Sequence, residues 1–391
     1  MTNARVIEIR RKLDLLEAEM ILERTTWRNN WRELSRFILP RRSRFFISDV
    51  NRGDRRNLDI IDSTGQIATR TLQAGMMTGI TSPARPWFKL RTNDFDLKEN
   101  ANVKFYLKAV EERMRSIYLK SNLYRVLPVA YGDMGTFANA CIFMEEDMDD
   151  VVNFTVFPIG SYAIANDKKG RVRTFFREFQ MSVRQIVEKF GMRDPERPKE
   201  IDWTNISEST KNLWDRDQRE KMVDVAHMVM PNDEYNPKRL ESRYKKFISY
   251  YYERGIANAM QRQASSASAN ADKLLSEKGY DFFPILAPRW EVAGEDTYGS
   301  NSPGMVVIGD VKQLQLGEKR VVNALDQKVK PPMLAPTALK NAVTSILPGA
   351  ITYVDEREGM RGVRRMFEID FDIRELNDKQ RELRERIRRG Y

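Results

Sequence analysis

The sequence has 391 residues, of which 41% are hydrophobic and 31% are charged, and its net charge is +10. This length allows two or three domains with a sizeable core, and this composition excludes a disordered chain. No apolar run approaches the roughly 18 residues that a membrane helix needs, and the N-terminal stretch MTNARVIEIRRKL contains no apolar signal region, so we expect neither a membrane span nor secretion.

The first third of the chain predicts helices. Over residues 4–39, apolar side chains recur at alternating steps of four and three residues, and Pro40 ends the pattern. A helix that packs along its own domain explains this pattern better than a coiled coil does. Further helices are predicted over residues 63–78, 98–120 and near 121–136.

The middle of the chain predicts strands with a few short helices, and hence the α+β class. Runs that alternate or are rich in β-branched and aromatic residues are FANACIFME, NFTVFP, SYAIA, RVRTFFREFQ, VDVAHMVMP and FISYYYER. NDKKGR, between the third and fourth of these runs, is typical of a hairpin turn. SVRQIVEKFG predicts a short helix with Ser182 as N-cap and Gly191 after its end, and another helical stretch lies near 208–221.

Two long helices are predicted on either side of a small segment. Residues 302–327 predict a helix that Asn301 or Ser302 can cap, with Pro303 in its first turn. KPPMLAP stops this helix, and a segment with Gly, Pro and β-forming residues follows to about residue 368. FDIRELNDKQRELRERIRRGY then predicts a highly charged helix. This order predicts a hairpin-like extension with a small knob at its tip.

The stretch DSTGQIATRTLQAGMMTG, residues 62–79, raises the question of nucleotide binding, because its glycines lie among Ser and Thr. A phosphate loop needs Gly-Lys-Ser/Thr at its end, a dinucleotide loop needs G-x-G-x-x-G, and both patterns are absent. A capped helix explains the stretch better, because Ser63 and Gln66 have the spacing of a capping box. Gly75 and Gly79 are then predicted to let the helix pack closely and to end it.

The acidic run EEDMDD, residues 145–150, is the strongest indication of an enzyme. Glu145, Glu146 and Asp147 at the end of a strand could hold Mg²⁺ for a nuclease or phosphotransferase reaction. The alternative is a solvated turn between two strands, because Asp is favoured in turns and side chains alternate in direction along a strand. No second acidic or Lys motif with nuclease-like spacing accompanies the run.

The chain has a single Cys, Cys141, and a single His, His227. One Cys cannot form an internal disulfide, and one residue of each kind cannot build a zinc site within one chain. Both lie in apolar strand-like runs, which favours buried, inert side chains over a Cys–His catalytic pair. The nucleophile motif G-x-S-x-G is also absent. We therefore expect no catalytic residue, no cofactor and no bound metal.

Basic residues stand out in the C-terminal region. They are Lys328 and Lys330 at the end of the first long helix, Arg361, Arg364 and Arg365 after a Gly-rich turn, and Arg381, Arg384 and Arg388 on one face of the last helix. Acidic residues interleave with the last group, so a solvated helix with i,i+4 ion pairs is one explanation. The other is a surface past which DNA can move without being gripped, in keeping with the basic net charge.

The order of these segments resembles the head-to-tail connector (portal) proteins of short-tailed, podovirus-like bacteriophages. The matching stretches are WRELSRFILPRRSRF, IIDSTGQIATRTLQAGMMTGITSPARPWFKL, YRVLPVAYGDMGTFANACIFMEED, FPIGSYAIANDKKGRVRTFFREFQMSVRQIVEKFG and FFPILAPRWEVAGEDTYGSNSPG. They lie in the family's order and cover most of residues 27–304. The helix that ends in SPARPWFKL is the most specific of them.

The resemblance implies an α+β, portal-type architecture assembled as a ring, usually a dodecamer, at one capsid vertex. The implied domains are a mixed α/β wing at 1–298, a first stem helix at 299–330, a small α/β clip at 331–368 and a second stem helix at 369–391. Family members continue past the second stem helix into a channel loop, a further long helix and a C-terminal part. We therefore expect either a longer natural product or a truncated form.

The resemblance also implies a non-enzymatic channel for packaging and ejecting double-stranded DNA, in the virion and, during assembly, in the host cytoplasm. The implied partners are other copies of the chain, DNA bound without sequence preference, the terminase motor, a tail adaptor, and capsid or scaffolding protein. Lys328, Lys330, Arg384 and Arg388 are the predicted channel-facing residues. Arg361, Arg364 and Arg365 are the predicted clip contacts with the motor or adaptor.

Overall fold

The computed structural model of the chain has a mixed α+β fold. It describes residues 3–49, 53–191, 201–254, 273–329, 333–334, 364–365 and 373–391. The helices are α1 (Asn3–Phe37), α2 (Thr64–Gly79), α3 (Phe95–Lys98), α4 (Ala101–Lys120), α5 (Leu123–Phe137), α6 (Val183–Ile186, continued by the π-helical turn Val187–Gly191), α7 (Glu208–Asp215), α8 (Pro303–Val329) and α9 (Ile373–Gly390). Within these ranges, no helix combines the length and apolarity that crossing a bilayer requires.

The described strands form two antiparallel sheets and one short pair. They are β1 (Ile142–Asp147), β2 (Val151–Val156), β3 (Tyr162–Asn166), β4 (Val172–Ser182), β5 (Met222–Pro231), β6 (Phe247–Glu253), β7 (Ser276–Tyr280), β8 (Ile285–Leu286), β9 (Met333–Leu334) and β10 (Arg364–Arg365). The larger sheet has the order β3-β4-β5-β6-β7, the smaller has the order β2-β1-β8, and β9 pairs with β10. The larger sheet is thus a meander in which neighbours in sequence are neighbours in space.

The hairpin predicted at NDKKGR is confirmed between β3 and β4. The Asp167 carboxylate accepts the backbone N–H groups of Lys169 at 2.8 Å and Arg171 at 3.0 Å. These backbone bonds, with the Arg171 side chain, lower the pKa of Asp167 to about 2. Gly170 has a φ of +69°, a left-handed conformation that glycine adopts without strain.

The predicted N-cap at Ser182 is confirmed, and the predicted capping box at Ser63 is wrong. Ser182 accepts the Gln185 N–H at 3.3 Å, and the Gln185 side chain accepts the Ser182 N–H at 3.0 Å, at the start of α6. Ser63 makes no such side-chain bond at the start of α2. Its neighbour Asp62 accepts the Thr64 N–H instead, at 2.7 Å.

The predicted role of the α2 glycines in close packing is also wrong within a single chain. A Cβ added at Gly75 or Gly79 would meet no atom within 4 Å. The tightly packed glycine of this helix is Gly65, where an added Cβ would lie 3.4 Å from a methyl group of Val311 on α8. The small residues at the N-terminal end of α2, and not those at its C-terminal end, face the core.

The core lies between α1 and the two sheets. Trp31 on α1 is fully buried, and its ring lies 4.9 Å from that of Tyr298 in an edge-to-face arrangement. Leu13, nearer the start of α1, packs in a second cluster with Met228 of β5. The prediction that this long helix packs along its own domain is therefore confirmed.

The prediction of buried, inert Cys and His side chains is confirmed. Cys141 is fully buried, and burial raises the pKa of its thiol. The His227 ring stacks on Tyr251 at 3.9 Å and hydrogen-bonds the Ser249 hydroxyl at 2.9 Å. Burial lowers the pKa of His227, with help from the positive charge of Arg177, so the ring is neutral and serves packing.

Candidate nucleic-acid interface

Helices α8 and α9, which carry the predicted DNA-facing residues, form an antiparallel pair. Val307, Val311 and Leu314 of α8 are buried in one cluster with Leu383 and Ile387 of α9. The start of α8 is fixed to α5, because the Ser302 hydroxyl donates to the Thr136 carbonyl at 2.9 Å and accepts the Met305 N–H at 3.3 Å. Ser302 is thus the N-cap of α8 and one of the two residues predicted for this role. It also attaches the start of the helix pair to α5.

A polar clamp joins this helix pair to the segment that precedes α2. The Gln315 side-chain oxygen accepts the N–H groups of Ile61 at 2.7 Å and Asp62 at 2.8 Å. The Gln315 amide donates to the Asp62 carbonyl at 2.7 Å. Arg384 of α9 donates to the Asp62 carboxylate at 2.8 Å and pairs with Glu318 of α8. One segment is therefore held by both helices.

The electrostatics of Asp62 follow from this clamp. Burial raises its pKa, but hydrogen bonds from Thr64 and Arg384 and the positive charge of Arg384 outweigh burial, so the net pKa is lowered. The ionised carboxylate is thus the form that the fold favours. Sequence reasoning missed Asp62 and Gln315, because neither belongs to a motif and their contacts join distant parts of the chain.

The structure places the predicted channel residues in different surroundings. Arg384 is one third exposed, and its guanidinium is held by Asp62 and Glu318. Arg388, one turn further along α9, is exposed, and no carboxylate in the described ranges pairs with it. Lys328 lies in α8, but its side chain falls outside the described part, and Lys330 lies outside it altogether. Contact of these residues with DNA stays a prediction.

The predicted clip residues are described only in part. Arg364 and Arg365 form β10, in which Arg364 pairs with Leu334 and Arg365 with Met333. Their side chains and the whole of Arg361 lie outside the described residues. Their contacts with a motor or an adaptor stay predictions.

The charge pattern of α9 serves both packing and solvation. Arg386 pairs across to Asp310 of α8 at 2.7 Å, in addition to the Arg384–Glu318 pair. Arg389 and Glu385 form an i,i+4 pair at 3.5 Å. The i,i+4 pairing expected for a solvated helix is thus present, but part of the charge holds α9 against α8.

The acidic run at 145–150 does not form a metal site. Glu145, Glu146 and Asp147 lie on consecutive positions of β1, so Glu146 points away from the other two. In the part of the chain that the structure describes, no group of three or more His, Cys, Asp or Glu side chains is placed to hold a metal ion. The run ends β1 and forms the turn to β2, and the nuclease hypothesis has no structural support.

Sequence reasoning also missed a basic groove beside α4. The groove has a volume of about 590 Å³ between α3, α4 and the segment before them. Its lining residues are Lys89, Leu90, Arg91, Thr92, Leu97, Lys98, Glu99, Val103, Lys104, Leu107, Lys108 and Glu111. The cations are spread over twenty residues of sequence without a motif, so only the fold brings them together.

Comparison with known proteins gives the class of this protein. Residues 10–391 match the family described as "Bacteriophage head to tail connecting protein", and the chain belongs to this family. The resemblance inferred from the sequence is thereby confirmed.

Two relatives make the match more specific. The chain is 43% identical over 374 residues to the "Portal protein" of Salmonella phage epsilon15. It is 39% identical over 369 residues to the "Probable portal protein" of Bordetella phage BPP-1. These alignments cover 96% and 94% of this chain, but only 63% and 62% of the relatives, so the chain spans less than two thirds of their length.

Proposed function

We propose that this chain is a subunit of a phage portal, the ring at one capsid vertex through which double-stranded DNA is packaged and ejected. The observation that carries the proposal is the family match over residues 10–391, together with 43% identity to a portal protein. The role is structural and not enzymatic, and ATP hydrolysis belongs to a separate terminase motor. No observation favours the metal-dependent nuclease as a second candidate.

The proposed architecture assigns parts of the chain to parts of the ring. Residues 1–298 form the wing, 299–330 the first stem helix, 331–368 the clip and 369–391 the second stem helix. The antiparallel packing of α8 on α9 supports the assignment of the two stem helices. We propose a dodecamer, in which each subunit meets its neighbour through two different faces.

The proposed DNA contacts are made to backbone phosphates without sequence preference. The proposed channel residues are Lys328, Lys330, Arg384 and Arg388. Arg388 is supported by its exposure and by the absence of a paired carboxylate in the described ranges. Arg384 is bound to two carboxylates, so its share of the DNA contact is expected to be smaller.

The proposed partners follow the same assignment. Arg361, Arg364 and Arg365 in the clip contact the packaging motor and later the tail adaptor. The wing contacts capsid or scaffolding protein. The complex is located in the virion, and its subunits are in the host cytoplasm during assembly.

Particle mass and negative-stain images test the proposal. The chain is purified and its mass is measured over a range of concentrations by mass photometry, and we expect rings with a central opening. Absence of rings at every concentration would overturn the portal. Incubation with DNA and Mg²⁺ or Mn²⁺ tests the rival, because cleavage that Glu146→Ala abolishes would replace the portal with the nuclease.

The DNA contact has its own test. Arg388→Gln is expected to weaken non-specific DNA binding and to reduce the slope of log K against log salt by about 0.9 for each phosphate that it no longer neutralises. Arg384→Gln is expected to change this slope less. An unchanged slope in Arg388→Gln would remove Arg388 from the DNA contact.

A further inference from the structure

The α3–α4 region leaves much of its surface uncovered, because neither helix has a buried residue. Helix α4 is 20 residues long, and none of its residues is buried. Phe105 and Tyr106 on this helix are 77% and 66% exposed. A helix with this many apolar side chains is usually covered on one face, so α4 has the surface of an element that is completed by another molecule.

The groove beside α4 carries unpaired positive charge. Lys89, Arg91, Lys98 and Lys108 line it, and none of them pairs with a carboxylate in the described residues. The two acids of the lining are already engaged. Glu99 pairs with Lys104 at 2.8 Å, and Glu111 accepts the Leu90 N–H at 3.3 Å.

The floor of the groove is apolar. Its apolar lining residues are Leu90, Leu97, Val103 and Leu107. An occupant that matches the groove therefore carries several negative charges around at least one apolar side chain.

The segment that ends β1 and turns into β2 has this composition. It contains five acids, Glu145, Glu146, Asp147, Asp149 and Asp150, around Met148, whose side chain is fully exposed. None of these carboxylates pairs with a cation in the described chain. Asp147 accepts the Asp149 N–H at 2.9 Å, which shapes the turn. We call residues 145–150 the acidic tip.

We propose that the basic groove beside α4 receives the acidic tip of a neighbouring copy of the chain, with Met148 on the apolar floor. The inference rests on the proposed ring, and it names the two different faces that a head-to-tail contact needs. The pairing places the unpaired cations of the groove opposite unpaired carboxylates of the tip. This arrangement favours one register between neighbours and opposes contact of two grooves or two tips.

The groove and the tip of one chain do not satisfy each other. Both extend from the contact between Tyr118 of α4 and Phe154 of β2, whose rings lie 6.4 Å apart. The α4 residues that line the groove lie 7 to 15 residues before Tyr118, which is roughly 10 to 22 Å at 1.5 Å per residue. The tip lies at the far end of the β1–β2 hairpin. No ion pair joins the groove to the tip within the described residues, so a second copy is the source of the matching surface.

A DNA backbone matches the groove less well than the acidic tip does. Phosphates gain nothing from a floor of Leu and Val side chains, and Glu99 and Glu111 in the lining would repel them. The apolar floor is what distinguishes the two occupants, because Met148 can be buried on it.

Charge reversal tests the contact in two single-surface variants. The groove variant is Lys98→Glu with Lys108→Glu, and the tip variant is Asp149→Lys with Asp150→Lys. All four residues are exposed, so circular dichroism is expected to show folded chains. By mass photometry, each variant is expected to need at least a tenfold higher concentration than the unmodified chain to assemble. The control, Lys238→Glu with Lys278→Glu at exposed sites away from the groove, is expected to assemble normally.

A mixture of the two variants gives the sharper result. Each groove then matches the tip of the other variant, so a 1:1 mixture is expected to assemble with the two chains alternating around the ring. A chain that carries all four substitutions is also expected to assemble.

The outcomes separate this inference from the proposed function. Rings that form equally well in the groove and tip variants would overturn the contact and leave the portal standing. No rescue in the mixture would also overturn it. If the groove variant assembles normally but loses DNA binding, DNA and not the neighbouring tip occupies the groove. If the unmodified chain forms no rings, both the proposed contact and the proposed portal function are overturned.

Discussion

The α1–sheet region and the α3–α4 region both carry apolar side chains but differ in burial. Trp31 and Leu13 of α1 are buried against the sheets, whereas α4 has no buried residue although Phe105 and Tyr106 lie on it. The first region is complete in a single chain. In the proposed ring the second is covered by a neighbouring copy, so the stability of one chain and the proposed assembly depend on different parts of the molecule.

The charges of the two regions show the same contrast. Under α1, Arg254 pairs with both Glu17 and Glu178, and Tyr252 donates to Glu17 at 3.0 Å. Beside α4, four cations of the groove have no carboxylate partner in the described residues. Buried charges need partners within the fold, whereas exposed charges can be left for another molecule.

The largest expected effect tests the difference in apolar burial between α1 and α4. Trp31→Ala removes a fully buried ring that packs on Tyr298, and it should lower the free energy of unfolding by about 3–5 kcal/mol. Phe105→Ala on α4 should change it by less than about 0.5 kcal/mol in the unassembled chain. Urea unfolding followed by circular dichroism measures both. Equal losses would show that α4 is part of the core of the single chain.

The next effect concerns the buried charges. Arg254→Met leaves the buried Glu17 without its cation, while Glu178 keeps Arg24 at 3.4 Å. This change should lower the free energy of unfolding by about 3 kcal/mol, because an unpaired buried carboxylate is costly. Lys108→Met removes an exposed cation and should cost less than about 0.5 kcal/mol. The same urea experiment compares them. A small loss in Arg254→Met would mean that water reaches these carboxylates.

A third prediction compares one substitution at two helical positions. In Gly304→Ala on α8, the new Cβ would lie 2.8 Å from backbone atoms of Thr136. We therefore expect the free energy of unfolding to fall by about 1–3 kcal/mol. In Gly75→Ala on α2, the Cβ meets no atom within 4 Å, so we expect a gain of about 0.5–1 kcal/mol from helix propensity. Thermal unfolding gives the sign of each change. Destabilisation by Gly75→Ala in the unassembled chain would contradict the packing of α2.

The smallest expected effect is a pH dependence of the clamp between α9 and the segment before α2. The pKa of Asp62 is lowered in the folded chain from its ordinary value of 3.8. The ionised carboxylate therefore stabilises the fold above pH 3.8, and this contribution is lost as the pH falls below 3.8 through the folded pKa. We expect the free energy of unfolding to fall by about 1 kcal/mol when this contribution is lost. The effect is small because Arg384 is partly exposed and its charge is screened.

Denaturant unfolding at a series of pH values checks this effect. Asp62→Asn should remove that part of the pH dependence and leave the rest. Asp54→Asn provides the control, because Asp54 is an exposed acid of the same segment and forms no ion pair with α9 in the described residues. An unchanged pH profile in Asp62→Asn would show that the clamp adds no stability.

Much of the fold could be predicted because its signals are local. The apolar spacing over residues 4–39 follows the period of a helix, and NDKKGR contains the residues that a tight hairpin needs. Ser182 and Gln185 satisfy each other within three residues. The family could be recognised for a similar reason, because whole stretches such as SPARPWFKL are read without knowledge of the fold.

The predictions that failed or stayed open depend on contacts between distant residues. Ser63 has capping-box spacing with Gln66, but Asp62 provides the bond to Thr64. The Asp62 side chain is held there by Arg384, 322 residues later. A local pattern cannot reveal which of two neighbouring polar side chains a distant helix will fix.

The sequence by itself determined most of the elements, the buried positions of Cys141 and His227, and the portal family, because these depend on short-range periodicity and on residue types. The tertiary structure alone decided that Arg384 is bound by carboxylates while Arg388 is not, and that Gly304 is crowded while Gly75 is open. It also decided that the cations beside α4 line one groove. Burial and ion pairing depend on which surfaces of the chain come into contact, and the packing of the helices and sheets decides those contacts.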